Sequence, residues 1–242
     1  MTDIAKTAAR RRWQTLVLSG LALAAFVSLR AGDQVPFQTV AEASGFQSTS
    51  RYADVLDFIA KLKKASPYVR GETLGRSAEG RDIPLLVLGK PLPDGPGRLK
   101  DDGRLVVYIQ ANIHAGEVEG KEAALMLARA MLLAPRPVYL DRLVVLIAPI
   151  FNADGNERIS PDNRREQAGP ADGVGVRHNG QNLDLNRDSM KLDSPELRGL
   201  VANVLNRWDP ALVVDCHTTN GSYHQEPVTY SWPLNPNGDL EI

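Results

Sequence analysis

A run of apolar and β-branched residues, Leu105 to Ile109, passes directly into Gln110-Ala111-Asn112-Ile113-His114-Ala115-Gly116-Glu117 and then into a helix-forming run, Ala123 to Leu133. A strand that ends in a tight loop before a helix is the building unit of an α/β sheet, and polar chemistry in open sheets of this kind collects at the carboxyl ends of the strands. Two further apolar runs end in the same way. Leu143 to Ile150 leads into Asn152-Ala153-Asp154-Gly155, and Ala211 to Val214 leads into Asp215-Cys216-His217. In a parallel sheet these three ends share one edge, so their polar side chains can converge. Side chains alternate along a strand, which puts Asp215 and His217 on one side and turns Cys216 toward the core.

His114 and Glu117 are three positions apart, so a single turn aims both at one point. Imidazole and carboxylate suit zinc, and two histidines plus one glutamate form a catalytic set with a fourth position open. The same spacing also fits a capping glutamate beside a satisfied histidine. Cys216 is the one cysteine, which excludes a disulfide framework and a cysteine-rich zinc site. Any metal must therefore rest on His, Asp and Glu, and the histidines are His114, His178, His217 and His224. A net charge of −1 over 242 residues provides no global field to recruit nucleic acid.

Lys6, Arg10, Arg11 and Arg12 precede Leu16 to Leu29, an uncharged and mostly apolar stretch of 14 residues. That is short for a spanning helix, which needs about 20 apolar residues, and fits the apolar part of a signal peptide. Residues 1–31 are read as an export signal, for a periplasmic or extracellular protein. Arg30 disturbs the cleavage site, so an uncleaved membrane anchor is the alternative. Residues 32–50 are polar and are read as a linker or loose arm, and residues 51–242 as the catalytic domain. Within the domain, the periodicity predicts a helix over Tyr52 to Ala65, and strands over Val69 to Leu74, Ile83 to Leu88, Arg104 to Gln110 and Leu143 to Ile150. Gly120 to Leu133 is apolar on nearly every side and is expected to be fully buried. Ile159 to Asn182 is polar and aperiodic, a loop long enough to be functional or unstructured. Ser194 and Pro195 cap and open a helix running to about Trp208, and Ala211 to Val214 is expected to be a buried strand.

Five segments occur in order between about Tyr52 and Tyr230: Glu79-Gly80-Arg81, His114-Ala115-Gly116-Glu117, Asn152-Ala153-Asp154-Gly155, Asp184-Leu185-Asn186-Arg187-Asp188 and Asp215-Cys216-His217. Together they make the chain resemble the zinc carboxypeptidase family. The resemblance implies a three-layer α/β fold with a mostly parallel or mixed sheet flanked by helices. It implies one Zn²⁺ per chain, held by His114, Glu117 and His217, with Asp184 orienting His114. Asn186 and Arg187 would clamp the terminal carboxylate of a peptide substrate, and Arg81 would be an auxiliary substrate arginine. The plain alternatives are turn caps for Asp184 and Asp188, and a surface ion pair for Arg81. Asn163-Arg164 resembles a family Asn-Arg pair, but Gln167 stands where the oxyanion arginine belongs. Arg164 is assigned that task, with Arg165 and Arg177 as the alternatives.

The implied reaction is hydrolysis of a peptide bond next to a free carboxyl terminus. The family's general-base glutamate and substrate-covering tyrosine belong later than Ile242, so the chain is expected to be the amino-terminal part of a catalytic domain, weak or inactive alone. Related sites also act as deacylases of N-acyl amino acids or amidases of cell-wall peptides, and a non-catalytic zinc-binding remnant is a third reading. His178 is expected to be solvent-exposed, His224 to border the pocket, and Glu226 to match no catalytic position.

Overall fold

The computed structural model describes residues 36–99, 103–133, 138–166 and 169–218. The segment read as an export signal or anchor, together with Gln167, His224 and Glu226, lies outside them. Among the described residues no helix is long and apolar enough to cross a membrane.

Five strands form one mixed sheet: β1 (Val69–Arg76), β2 (Asp82–Leu88), β3 (Leu105–Ala111), β4 (Leu143–Ala148) and β5 (Leu212–Cys216), in the order β1-β2-β4-β3-β5. β1 and β2 are antiparallel, as are β2 and β4, whereas β4, β3 and β5 run parallel. The apolar runs are continuous because both faces of the sheet are covered. The two-residue alternation divides them. Leu86, Leu88, Val145 and Ile147 join one core with Val55, Phe58 and Leu62 of α1 (Tyr52–Ala65) and with Leu125 and Ala128 of α2 (Val118–Leu133). Leu85, Val87, Val144 and Leu146 join the other with Leu197, Val204 and Trp208. Those last three lie on a helical segment that begins as α3 (Pro195–Leu200), capped by the Ser194 hydroxyl, and widens into a π-helical turn at Val201–Leu205. This is the expected three-layer α/β architecture.

Three expectations are corrected. β5 is at the sheet edge, with Leu212 and Val213 about half exposed, because β3 is its only partner among the described residues. α2 is not buried all round, since Glu119, Ala123, Leu127 and Ala130 form an outward stripe. The described part of the segment read as a loose arm, 36–50, is docked. Its short helix Val40–Ala43 starts with a reciprocal cap between Thr39 and Glu42. Glu42 then accepts two bonds from Arg129 at 2.7 and 2.6 Å, and a third Arg129 bond reaches the Phe37 carbonyl at 2.7 Å.

The docking is driven by charges that α2 carries on its inner face. Glu122 is buried and accepts from Thr49 Oγ1 at 2.8 Å, Ser50 N at 2.7 Å and Ser50 Oγ at 3.0 Å. Lys121 is fully buried and donates to the Ser50 carbonyl and to Asn156 Oδ1. Burial pushes its ammonium down to about 8. Glu122→Ala strands three buried donors and is expected to cost about 3 kcal/mol at roughly 1 kcal/mol per unpaired group. The checking measurement is a urea titration, in which the midpoint falls well below that of the parent.

Candidate metal centre

The register of the parallel strands builds the site. β3 and β5 pair Ala111 with Cys216, so the two strands end side by side and His114 and His217 leave the sheet together. The chain leaving β4 continues the pattern, with Phe151 N donating to Ala111 O at 3.0 Å and Asn152 N to Asn112 O at 3.1 Å. Asn112 turns the loop. It is fully buried in the left-handed region, φ 65°, a conformation Asn tolerates better than most residues. Its amide donates to the carbonyls of Ala115 and Glu117 at 3.2 Å each. Sequence reasoning passed over this residue, although an Asn at a strand-to-loop junction is the available signal.

Glu117 is the centre of the cluster. Its Oε1 lies 3.0 Å from His114 Nδ1, and its Oε2 lies 2.9 Å from His217 Nδ1 and accepts from Thr218 N at 3.1 Å. One donor atom from each of His114, Glu117 and His217 can be chosen so that all lie within 4.8 Å of one another. The far nitrogens are also engaged. His114 Nε2 is 3.2 Å from Asp184 Oδ1, and His217 Nε2 is 3.0 Å from Asp215 Oδ2. A neutral imidazole carries one proton for two nitrogens. Each ring here faces carboxylate oxygen on both sides, so one contact per ring lacks a proton unless the ring is charged or a cation sits among the donors. Carboxylates on the Nε2 atoms favour the tautomer that leaves Nδ1 free to ligate. The donor set therefore fits a zinc ion.

The electrostatics agree. Burial alone would raise the Glu117 pKa, but bonds from His114, His217 and the Thr218 amide outweigh it and hold the carboxyl far below its usual range. Asp215 and then Glu117 push His217 up to about 10 in the metal-free protein. Asp184 is lowered as well: burial opposes this, and Arg177 with His114 overcomes it. Cys216 is half-buried and packs against the α1–α2 core, facing away from its two polar neighbours as alternation requires.

The long polar loop supplies two guanidinium groups. Arg164 Nη2 donates to Glu117 Oε1 at 2.8 Å. Arg177 Nε donates to Asp184 Oδ2 at 2.8 Å, and its Nη1 lies 3.5 Å from His114 Nδ1. Arg165 is exposed and paired with Asp162. The loop is ordered by backbone contacts: Ala115 N donates to Val176 O at 3.2 Å and Val176 N to Gly155 O at 3.0 Å. A Cβ on Gly175 would stand 2.5 Å from Gly155 O, so only glycine allows this approach. Asn179 is fully buried and closes the turn, accepting from Gln181 N and Leu183 N and donating to Glu196 Oε2. His178, expected in solvent, is half-buried beside it.

The remaining predicted residues separate into two groups. Asp184, Asn186 and Arg187 share one 3₁₀ turn, Leu185–Arg187, capped by Asp184 itself. Arg187 is exposed, with Nη1 on the Asn186 carbonyl at 2.8 Å. Asp188 binds Asp193 N, Ser194 N and Ser194 Oγ, which is the turn-cap role. Arg81 belongs to another network. Its Nη1 donates to Glu79 Oε2 at 2.6 Å and to the fully buried Asp154 Oδ1 at 2.7 Å. Asp154 also accepts from Ser77 Oγ and Glu79 N. Arg81 thus balances the charge of a buried carboxylate while its side chain stays partly exposed.

Rat carboxypeptidase D is 28% identical over 171 residues, covering 67% of this chain and 12% of that protein. Human carboxypeptidase D is also 28% identical over 171 residues, with 11% of its length covered. The chain thus spans only about an eighth of the curated relatives it matches. Among solved structures, a putative carboxypeptidase from Burkholderia mallei superimposes with a TM-score of 0.55 at 24% identity, over 72% of this chain and 41% of that one. Carboxypeptidase A from Helicoverpa armigera gives 0.54 at 21% identity, over 72% and 47%. The family pattern described as zinc carboxypeptidase matches residues 55–222, a span that runs from α1 through the whole donor cluster. On that match, the chain belongs to the zinc carboxypeptidase family.

Proposed function

We propose that this chain carries the metal centre of a zinc-dependent carboxypeptidase that cleaves the peptide bond next to a free carboxyl terminus. The observation supporting it is the convergence of His114, Glu117 and His217, with a carboxylate behind each imidazole. His114, Glu117 and His217 would hold a zinc ion, which would supply a Lewis acid for the scissile carbonyl and for water activation near neutral pH. The chain's own residues hold the ion and position the substrate. His114 and His217 present Nδ1, while Asp184 and Asp215 hold the protons on Nε2 and keep the rings from turning. Asn186 and Arg187 grip the substrate carboxylate; a planar guanidinium can do so through two parallel bonds.

For the developing oxyanion we favour Arg177 over Arg164. The Arg164 guanidinium is engaged with the ligand Glu117. Arg177 is held at Nε by Asp184, which leaves its terminal N–H groups beside His114 Nδ1, at the edge of the donor cluster. Export across a membrane remains our proposal for the amino terminus, supported by the basic start and apolar stretch.

The test is hydrolysis of amino-blocked peptides by zinc-loaded protein, with peptides amidated at the carboxyl end as controls. Cleavage of the free acids alone is expected, and equal cleavage of the amides would overturn the reading. His217→Ala is expected to weaken zinc binding more than the 10–100-fold typical of outer partners, and Asp184→Ala to fall within about that range, both by competition with a chromogenic chelator. Arg177→Ala should lower kcat about 10²–10³-fold, the usual loss for an oxyanion donor, with a much smaller effect from Arg164→Ala. Zinc affinity depends on pH in a fixed direction. Metal-free His217 holds a proton up to about 10 and must release it to ligate. Affinity is therefore expected to rise about tenfold per pH unit through neutrality, one proton leaving per ion bound. Calorimetry in buffers of different ionisation enthalpy checks this count.

A further inference from the structure

Two cavities lie on the Glu117 side of the metal centre. The nearer, about 250 Å³, is lined by Gly116, Val118, Glu119, Asn163 and Arg164 among others. The farther, about 390 Å³, is lined by Ala41, Phe46, Val118, Ala123 and Met126, with Thr49 and Glu122. Both include Val118, Glu119, Gly169 and Pro170, so they adjoin across a shared wall. Gly116 and Val118 flank Glu117 directly. The Asn186–Arg187 turn joins the cluster from elsewhere, through Asp184 on His114 Nε2. The carboxylate clamp and the cavities thus reach the donor cluster through different ligands, His114 for the clamp and Glu117 for the cavities. A substrate held by its carboxylate at Asn186 and Arg187, with its scissile carbonyl at the cluster, sends its amino side past Arg164 toward them.

The chemistry of the farther cavity is specific. Of its polar side chains, Thr49 Oγ1 donates to Glu122 Oε1 at 2.8 Å and Ser48 Oγ to Asp172 Oδ2, while the Glu119 carboxylate stands on the wall shared with the nearer cavity. Away from that shared wall, the surfaces open to a ligand are the Phe46 ring, the Met126 thioether and the small side chains of Ala41 and Ala123. Phe46 is 65% exposed on a left-handed residue, φ 65°. Exposed aromatic surface beside a flexible thioether suits an apolar occupant of variable shape. This wall is built by residues 41–49, the segment locked in place by Glu122 and Arg129.

We infer that the farther cavity is a remote subsite for a bulky apolar group on the amino side of the scissile bond. The direction of the substrate rests on the carboxypeptidase reading; the apolar character of the cavity does not.

The experiment compares dansyl-Gly-Gly-Ala with acetyl-Gly-Gly-Ala, which differ only in the remote cap. Binding is measured on His217→Ala protein by fluorescence and by calorimetry, and turnover on zinc-loaded parent. The dansyl peptide is expected to bind at least about tenfold more tightly, the lower end of what added apolar contact gives in a hydrophobic pocket. Ala123→Trp fills the cavity from an outward helix position and should reduce that advantage to nothing, with acetyl-peptide binding unchanged. Met126→Ser should reduce it in part. A dansyl advantage absent in the parent, or undiminished in both variants, overturns the subsite. If carboxyl-amidated versions of both peptides are cleaved as readily as the free acids while the variant-sensitive advantage is present, the carboxypeptidase reading fails and the apolar subsite stands.

Discussion

Two imidazoles share one carboxylate, and the geometry of the protein around them follows from what that arrangement requires. Glu117 faces both Nδ1 atoms, a guanidinium and a backbone amide. Asp184 and Asp215 stand behind the rings. Three carboxylates against two guanidinium groups leave the cluster negative with neutral rings, so it is stable only with protons or a cation among the donors. The raised His217 is the protonic answer and a divalent ion the other. Both compete for the same atoms, which couples metal uptake to proton release.

Holding such a cluster is not a task for the apolar core alone. The sheet sets where the three strand ends meet, but the loops above it are fixed by buried polar residues with several bonds each. Asn112 turns the first loop, Asp154 gathers Ser77, Glu79 and Arg81, and Glu196 accepts from Ala78 N and Asn179. Hydrogen-bond networks of this kind polarise one another and are worth more than their separate bonds. That is how a loop without repeating structure can present Arg177 and Asp184 within hydrogen-bond reach of His114.

The architecture and the donor set were legible in the residues because they obey local rules. The helix Tyr52–Ala65 carries its apolar residues at helical spacing and stops before Pro67. His114 and Glu117 share one turn, and the alternation at Asp215 and His217 follows from strand geometry. The rest depended on partners remote in the chain. Thr39, Glu42, Thr49 and Ser50 look like linker residues until Arg129 and Glu122 are placed opposite them. The inward charges of α2 were masked by a mostly apolar composition. Arg164 and Arg177 sit in a stretch with no periodicity, where only the Ser160–Val174 bridge and the glycine-tight approach at Gly175 decide which guanidinium reaches which carboxylate. The exposure of β5 follows from its place in the sheet order, which its composition does not encode.

The anchoring of residues 37–50 bears on how far a protease can trim the front of the molecule. Cutting beyond Phe37 deletes a carbonyl that Arg129 uses, and cutting beyond Ser50 deletes an acceptor of the interior Lys121 ammonium and the donors facing Glu122. Two interior ions of opposite sign would then lose partners at once. These fourteen residues thus cover charged ground, and a cut within them uncovers it.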